Sequence, residues 1–163
     1  MLYFCIIDNQ MTKKKKQRET ITRPAFDVLE KARQDAELYL NPYVTPEHVL
    51  FQMESAGVLN QVRENNTLDP FYFRERLGLF ISALGSVELT SEYSPQISDN
   101  LRFAIEYAIE EAVREGGKPV GLDHLLLGMA YQKDSLAGFL IRKHPEVLQG
   151  FGVSFPSPAD CLL

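Results

Sequence analysis

Residues suited to covalent or metal chemistry are scarce in this sequence of 163 residues. The two cysteines, Cys5 and Cys161, lie near opposite ends, so neither a disulfide framework nor a C-x-x-C metal motif is present. The patterns G-x-S-x-G and H-E-x-x-H are also absent. We therefore expect no catalytic residue, no metal site and no cofactor, and two free thiols in a reducing compartment.

A phosphate-binding loop is missing as well. The run GGKP at residues 116–119 ends in proline and lacks the leading spaced glycine of G-x-x-x-x-G-K-[ST]. That loop uses its backbone N–H groups to hold the phosphates of a nucleotide. ATP hydrolysis is therefore not expected of this polypeptide.

Positive charge and long apolar runs are limited. The formal net charge is −5, and the one basic run, residues 13–16, lies outside the patterned part of the chain. The apolar start at residues 1–8 is too short to span a bilayer and lacks the order of a signal peptide. We expect a cytoplasmic protein with neither nucleic acid nor membrane as partner, translated from Met1 or from Met11.

The sequence repeats itself at an offset of 76 residues, which is the separation of His48 and His124 (124 − 48 = 76). The stretch TPEHVLFQM at residues 45–53 corresponds to GLDHLLLGM at residues 121–129. Eight identities fall at this offset over residues 21–53, where chance gives roughly two, so the pattern indicates a duplication. The identical pairs are Ile21/Ile97, Glu30/Glu106, Ala32/Ala108, Ala36/Ala112, Val44/Val120, His48/His124, Leu50/Leu126 and Met53/Met129.

Each copy has the pattern of a capped helix followed by a second helix that carries the histidine. Thr22 and Ser98 stand directly before apolar stripes with helical spacing, so each is predicted to cap a helix. Turns rich in helix breakers, LNPY and GGKP, separate the first helix from the second. Further helices are predicted at about 57–64, 70–82 and 134–143, and the last helix of the second copy is short at most.

These patterns predict an all-α fold of two tandem four-helix repeats related by a pseudo-twofold axis, with the second repeat truncated at its fourth helix. No run alternates over enough residues to predict a sheet. The predicted organisation is an N-terminal tail that is disordered or a mis-assigned start, a first repeat, a linker, a second repeat and a C-terminal tail. Their bounds are 1–19, 20–82, 83–96, 97–148 and 149–163.

The paired signature resembles the N-terminal domain of the Clp family of AAA+ unfoldases, in which F-T-x-x-A, an alanine-striped helix and G-T-E-H-L-L-L-G-L occur twice. Here the starts read ITRPA and ISDNL, neither copy matches perfectly, and the resemblance covers roughly residues 20–148. It implies a domain that is not an enzyme and that binds substrates or adaptors at the entrance of the unfoldase ring. Free-standing versions act as accessory subunits of Clp protease complexes, and this chain is compatible with that arrangement.

In some relatives, two symmetric pockets for phosphorylated arginine occupy the positions of Thr22 with Glu47 and of Ser98 with Asp123. A helix N-terminus offers N–H groups to a phosphate, and a carboxylate offers two oxygens to a guanidinium. Capping alone explains both hydroxyls, however, and an acid in the first helical turn is favoured by the helix dipole. We predict a partner-binding role for these four residues, with capping as the open alternative; the shorter Asp123 weakens the second pocket.

Two aromatic stretches are further candidates for partner binding. Pro42 and Tyr43 lie in the turn before the first signature, and Phe71 and Tyr72 exceed what one helix stripe needs. Core packing is the alternative for each pair. The two histidines of the repeat are flanked by apolar residues near helix starts, so we predict that both are structural and hydrogen-bonded to a nearby loop.

The predicted function is a non-catalytic Clp N-domain-like protein that binds substrate proteins or adaptors for a Clp AAA+ unfoldase or protease. One alternative is an N-domain-like module of the unfoldase that disassembles the type VI secretion sheath. Another is a self-associating helical module, and a third is a small enzyme that uses the two histidines, which would need a pocket of convergent polar groups. The expected partners are substrate proteins, adaptors or Clp ATPase and protease subunits, and the oligomeric state stays open.

Overall fold

In the computed structural model, which describes residues 20–60, 69 and 71–153, the chain folds into seven α-helices and two very short strands. The predicted all-α fold is confirmed. The N-terminal tail, residues 61–64 of the helix predicted at about 57–64 and most of the C-terminal tail lie outside the described residues. The helices are α1 Arg23–Leu38, α2 Pro46–Ser55, α3 Tyr72–Ala83, α4 Asp99–Arg114, α5 Leu122–Ala130, α6 Leu136–Lys143 and α7 Glu146–Gln149, and the strands are β1 Tyr43–Val44 and β2 Gln96–Ile97.

The helices α1 and α4 are each 16 residues long and begin in the same way. The Thr22 hydroxyl accepts a hydrogen bond from the backbone N–H of Ala25 (3.4 Å), and the Ser98 hydroxyl accepts one from Leu101 (3.3 Å). Both predicted caps therefore form, and each helix then buries one apolar stripe at matching positions. The buried residues are Ala25, Val28, Leu29, Ala32 and Ala36 in α1, and Leu101, Ala104, Ile105, Ala108 and Ala112 in α4.

Two short backbone bridges join the halves of the chain, and they are equivalent to each other. β1 pairs with β2 in parallel, and Ile21 forms a parallel bridge with Val120. The Thr22 N–H donates to the Val120 carbonyl (2.9 Å), and the Ser98 N–H donates to the Val44 carbonyl (3.0 Å). Because 22 + 76 = 98 and 44 + 76 = 120, each half offers the same donor and acceptor positions to the other. Strands of two residues are too short to produce an alternating pattern in the sequence.

The helices that carry the histidines, α2 and α5, form the centre of the fold. Eight of the ten residues of α2 and seven of the nine residues of α5 are buried. α2 packs on α1, α3 and α6, whereas α5 packs on α4, α6 and α7. A helix that is buried nearly all round has neighbours on every side, so it cannot turn its histidine to open solvent.

The two halves differ at the contact between their first and second helices. A Cβ at Gly128 of α5 would overlap the carbonyl oxygen of Ala104 in α4, so glycine permits a very close approach of these two backbones. The equivalent position in the first half is Gln52 (128 − 76 = 52). Since Gln52 needs room for its side chain, α1 and α2 must stand further apart at this level.

The predicted linker, residues 83–96, is tied to the end of α1. Val87 donates its N–H to the Leu40 carbonyl (2.8 Å), and the Asn41 side-chain amide donates to the Gly85 carbonyl (2.8 Å). The Tyr93 hydroxyl donates to the Asn41 carbonyl (2.7 Å). Because this segment follows α3 directly, it forms one continuous surface with α1 and α3.

The last helix of the second half, α7, has four residues, as the predicted truncation implies. It still buries Val147 and Leu148. Just before it, His144 packs edge-on against the rings of Tyr72 (5.1 Å between centroids) and Phe73 (5.5 Å) at the start of α3. The end of the second half is therefore in contact with the first. Within the described part of the chain, no helix combines the length and apolar content needed to cross a membrane.

Candidate partner-binding groove

A groove opens on the surface of the first half between α1, α2, α3 and the start of the linker. Its volume is about 620 Å³, within the range of sites that accommodate ligand groups. We call it the first-repeat groove. Its walls are Asp35, Tyr39, Asn41, Phe51, Gln52, Arg74, Gly78, Ile81, Ser82, Gly85 and Ser86.

Asp35 lies on the α1 wall of the groove, and no cationic residue among those the structure describes pairs with it. Its carboxylate accepts a hydrogen bond from the Gln52 side-chain amide, and partial burial raises the pKa of Asp35 above its usual value. Every other acidic residue of α1 forms an ion pair with an arginine of the same helix, whereas none of the described residues forms an ion pair with Asp35. The other pairs of α1 are Arg23–Asp27, Arg33–Glu30 and Arg33–Glu37.

The opposite wall combines a cation, an aromatic ring and empty space. The Arg74 guanidinium of α3 lies over the Phe51 ring of α2, 5.9 Å from its centroid. Among the residues that the structure describes, none forms an ion pair with Arg74. Gly78, one turn further along α3, leaves the groove open, because a Cβ there would meet only the Phe51 ring at 3.9 Å.

A hydrogen-bond network that starts at His48 holds one end of the groove. The Thr45 N–H donates to Nδ1 of His48 (3.1 Å), so the ring carries its proton on Nε2 and donates it to Oδ1 of Asn41 (3.1 Å). The other end of the Asn41 amide bonds to Gly85, as described above. Burial lowers the pKa of His48 to about 4, so the ring is neutral at pH 7. The predicted structural role of His48 is confirmed, and the network ties α2 to two segments of the groove.

His124 repeats this capping role in the second half. The Gly121 N–H donates to Nδ1 of His124 (2.9 Å), and Nε2 donates to the Glu115 carboxylate (3.1 Å). Among the residues that the structure describes, Glu115, Asp123 and His124 are the one group whose possible ligand atoms lie within 4.8 Å of one another. A metal needs a free imidazole lone pair, but Gly121 occupies Nδ1 and Nε2 carries the proton, so this geometry does not favour a metal site.

The residues predicted for the phosphoarginine pockets are engaged within the fold to different degrees. Thr22 and Ser98 cap their helices. Glu47 is only 2% exposed, and its carboxylate accepts a hydrogen bond from the Ala137 N–H (3.1 Å) at the start of α6. Asp123 is partly exposed. The capping alternative therefore accounts for both hydroxyls, and the pocket role of the four residues stays a prediction.

The two predicted aromatic pairs each have one exposed member. Tyr43 is 48% exposed and Phe71 is 67% exposed, whereas Pro42 and Tyr72 are partly buried. Among these eight residues, Ser98 donates its N–H to the Val44 carbonyl, next to Tyr43, and Thr22 donates its N–H to the Val120 carbonyl in the other half. None of the eight lines the first-repeat groove.

The groove was missed because its walls come from segments far apart in the sequence. One local signal could have indicated it. Gly78 falls in the middle of a predicted helix, where glycine destabilises the helix by about 1 kcal/mol relative to alanine and so calls for another explanation. The open space above Gly78 supplies that explanation.

Known proteins with similar sequences identify the family of this chain. The profile described as Clp repeat (R) N-terminal domain matches residues 20–144. The chain belongs to this family. A probable ATP-dependent Clp protease ATP-binding subunit of Chlamydia pneumoniae is 28% identical to this Clp N-domain over 121 residues, which are 73% of this chain and 14% of that protein. The chain therefore matches a small part of the length of that relative.

Solved structures of Clp-type N-domains share the fold. The Hsp104 N-terminal domain from Candida albicans has a TM-score of 0.69 at 15% identity, with 81% of this chain and 89% of that chain covered. A ClpV N-domain in complex with a VipB peptide has a TM-score of 0.57 at 16% identity, with 84% and 97% covered. At these identities the likeness establishes the fold, and the predicted resemblance to the Clp family is confirmed.

Proposed function

We propose that this Clp N-domain is a non-catalytic module that binds substrate proteins or adaptors for a Clp AAA+ unfoldase or protease. The observation that carries the proposal is the first-repeat groove, an open surface site with an apolar centre and charged walls on a member of the Clp N-domain family. Grooves of this kind suit protein segments, because apolar contact supplies affinity and charged groups select the sequence.

The comparisons support a binding role more than an ATP-dependent one. The Chlamydia relative is named for ATP binding, but this chain matches only 14% of it. The solved ClpV N-domain holds a peptide of VipB. We therefore assign to this chain the recognition of a protein segment and leave the ATP-dependent step to a Clp motor.

The groove also lacks the arrangement of a hydrolytic site. Ser82 and Ser86 line it, and within the described residues neither is hydrogen-bonded to a histidine. A serine hydroxyl without an adjacent base is a weak nucleophile at neutral pH. This supports a binding groove over the small enzyme considered from the sequence.

Affinity purification followed by mass spectrometry tests the proposal. The immobilised chain is exposed to a lysate of the organism that encodes it, beside a Gly78→Leu variant that fills the groove and a Gly78→Ala variant that does not. We expect the wild type and Gly78→Ala to retain Clp ATPase or protease subunits, adaptors or their substrates, and Gly78→Leu to lose them. Thermal unfolding shows whether all three proteins are folded.

The outcomes separate the alternatives. If the wild type retains a type VI sheath subunit, the result favours a module of the unfoldase that disassembles the type VI secretion sheath. Recovery of this chain alone favours the self-associating module. Equal retention of partners by the wild type and Gly78→Leu contradicts the role of the groove.

A further inference from the structure

We infer that the first-repeat groove binds a protein segment in which an apolar side chain lies between a basic group, which meets Asp35, and an acidic group, which meets Arg74. The inference rests on the proposed function and adds the chemistry of the partner. α1 supplies the carboxylate, α3 supplies the guanidinium, and α2, which packs on both helices, supplies the ring of Phe51.

The α1 wall offers a negative charge that no described residue neutralises through an ion pair. One oxygen of Asp35 accepts a hydrogen bond from Gln52, and a carboxylate can accept several more. Lys31 stands one turn earlier on α1 but forms no ion pair with Asp35. Since partial burial raises the pKa of Asp35, its charge is poorly solvated and a cation of the partner would stabilise it.

Among the described residues, the unpaired carboxylate of Asp35 is found in the first half only, as its equivalent in the second half shows. The residue equivalent to Asp35 is Glu111 (35 + 76 = 111), which pairs with Arg114 on the same helix. The close approach of α4 and α5 at Gly128 also leaves less room there. We therefore expect one binding site of this kind per chain.

The α3 wall offers a cation beside an aromatic ring. The Arg74 guanidinium lies over the face of Phe51, and no described carboxylate is in an ion pair with it. A guanidinium near an aromatic ring still has N–H groups for a carboxylate, which it can bind with two parallel hydrogen bonds. An acidic side chain of the partner fits this position.

The centre of the groove suits an apolar group. Gly78 exposes no side chain, and the nearest atom to a Cβ there belongs to the Phe51 ring at 3.9 Å. Ile81 lines the same wall one turn nearer the linker. A leucine or phenylalanine of the partner would fill the space and gain apolar contact.

A panel of synthetic peptides tests the charge pattern on the full chain. Each peptide carries one leucine with arginine on one side and glutamate on the other, at spacings of two to five residues; matched peptides carry alanine in place of one or both charges. We expect the best charged peptide to bind about tenfold tighter than its neutral match by fluorescence anisotropy. That advantage should shrink as salt is added, because salt screens partly exposed charges.

Conservative variants assign each charge to its wall. Asp35→Asn keeps the shape of the side chain and should weaken the arginine-containing peptides about tenfold, with no effect on peptides that lack arginine. Arg74→Gln should do the same for the glutamate-containing peptides. Glu111→Gln, the matched change in the second half, should leave every affinity unchanged.

The outcomes distinguish this inference from the proposed function. The inference is overturned if no peptide of the panel binds, if charged and neutral peptides bind alike, or if Asp35→Asn binds as the wild type does. If Gly78→Leu still loses partners from the lysate in such a case, the groove function stands and only its charge selection fails. Unchanged thermal unfolding of Asp35→Asn rules out a general folding defect as the cause of weaker binding.

Discussion

The two halves of this Clp N-domain use one pattern but differ where their first and second helices meet. In the second half, Gly128 lets α5 approach the backbone of α4 at Ala104. In the first half, Gln52 occupies the equivalent position and donates to Asp35 across the space between α1 and α2. Glycine thus permits a close helix contact in the second half, whereas the Gln52 side chain lines the groove at the equivalent position of the first half.

The histidines show a second difference within the same pattern. Both accept a backbone N–H at the start of their helix, from Thr45 and from Gly121. The partner on the other ring nitrogen is the buried amide of Asn41 in the first half and the exposed carboxylate of Glu115 in the second. The capping role is common to both halves, whereas the network beyond it differs.

The largest effect is expected from replacing Gly128, the residue at which the two halves differ. Gly128→Ala places a methyl group against the Ala104 carbonyl and forces α4 and α5 apart, so we expect a loss of about 3 kcal/mol in the free energy of unfolding. Chemical denaturation measures it. A loss below about 1 kcal/mol would mean that the two backbones adjust easily and that the close contact is not required.

Acid should act on the first half through His48. Its pKa is about 4 in the folded chain against 6.5 as the ordinary value, so the unfolded chain binds the extra proton first as the pH falls. The contribution of the neutral His48 ring to the free energy of unfolding is therefore complete above about pH 6.5. It is lost as the pH falls toward 4, by about 3 kcal/mol in total.

The variant His48→Gln supplies the control for this pH dependence. Glutamine at the third helical position can still accept the Thr45 N–H, as in a capping box, but it does not titrate. The free energy of unfolding of the variant should therefore vary less between pH 6.5 and pH 4 than that of the wild type. Equal slopes for the two proteins would remove His48 as the cause.

A smaller difference in stability is expected between variants of Glu47 and of its equivalent, Asp123. Glu47→Gln removes a buried negative charge from the N-terminal end of α6, where it bonds to Ala137, and should lower the free energy of unfolding by about 1 kcal/mol. Asp123→Asn alters a partly exposed side chain, so it should change the free energy of unfolding by less than about 0.5 kcal/mol. Thermal and chemical unfolding of the two variants make the comparison; an equal effect would show that burial does not distinguish them.

The smallest expected effect has the opposite sign. Gly78→Ala puts a methyl group at ordinary contact distance from Phe51 and improves the helix propensity of α3, so it should raise the free energy of unfolding by about 0.5–1 kcal/mol. The same denaturation experiment as for Gly128 measures it. Destabilisation by Gly78→Ala would indicate that the groove is more tightly packed than its open space implies.

The elements that were predictable from the sequence are those set by residues close together in the chain. Thr22 and Ser98 precede apolar stripes, and both cap their helices as expected. The histidine signatures begin the two central helices, as the repeat predicted. The bridge between Ile21 and Val120 gave no such signal, because a pairing of single residues about a hundred positions apart has no periodicity.

The candidate site was less predictable than the fold. The partner-binding role of Glu47 stays a prediction, and the structure adds that its carboxylate accepts an N–H of α6, 90 residues further on. The roles of the predicted binding residues and the domain boundaries stay predictions. The groove instead joins Asp35, Arg74 and Gly85, which no motif connects.

The sequence by itself determined the helical class, the caps and the family, because helical periodicity and capping act over a few residues. It also indicated a duplication, because a repeat is visible without a structure. Only the tertiary structure decided which charges remain unpaired and where a surface stays open. Those properties depend on how far apart packed helices stand, and that distance is set by contacts such as Gly128 with Ala104 between segments that are remote in the chain.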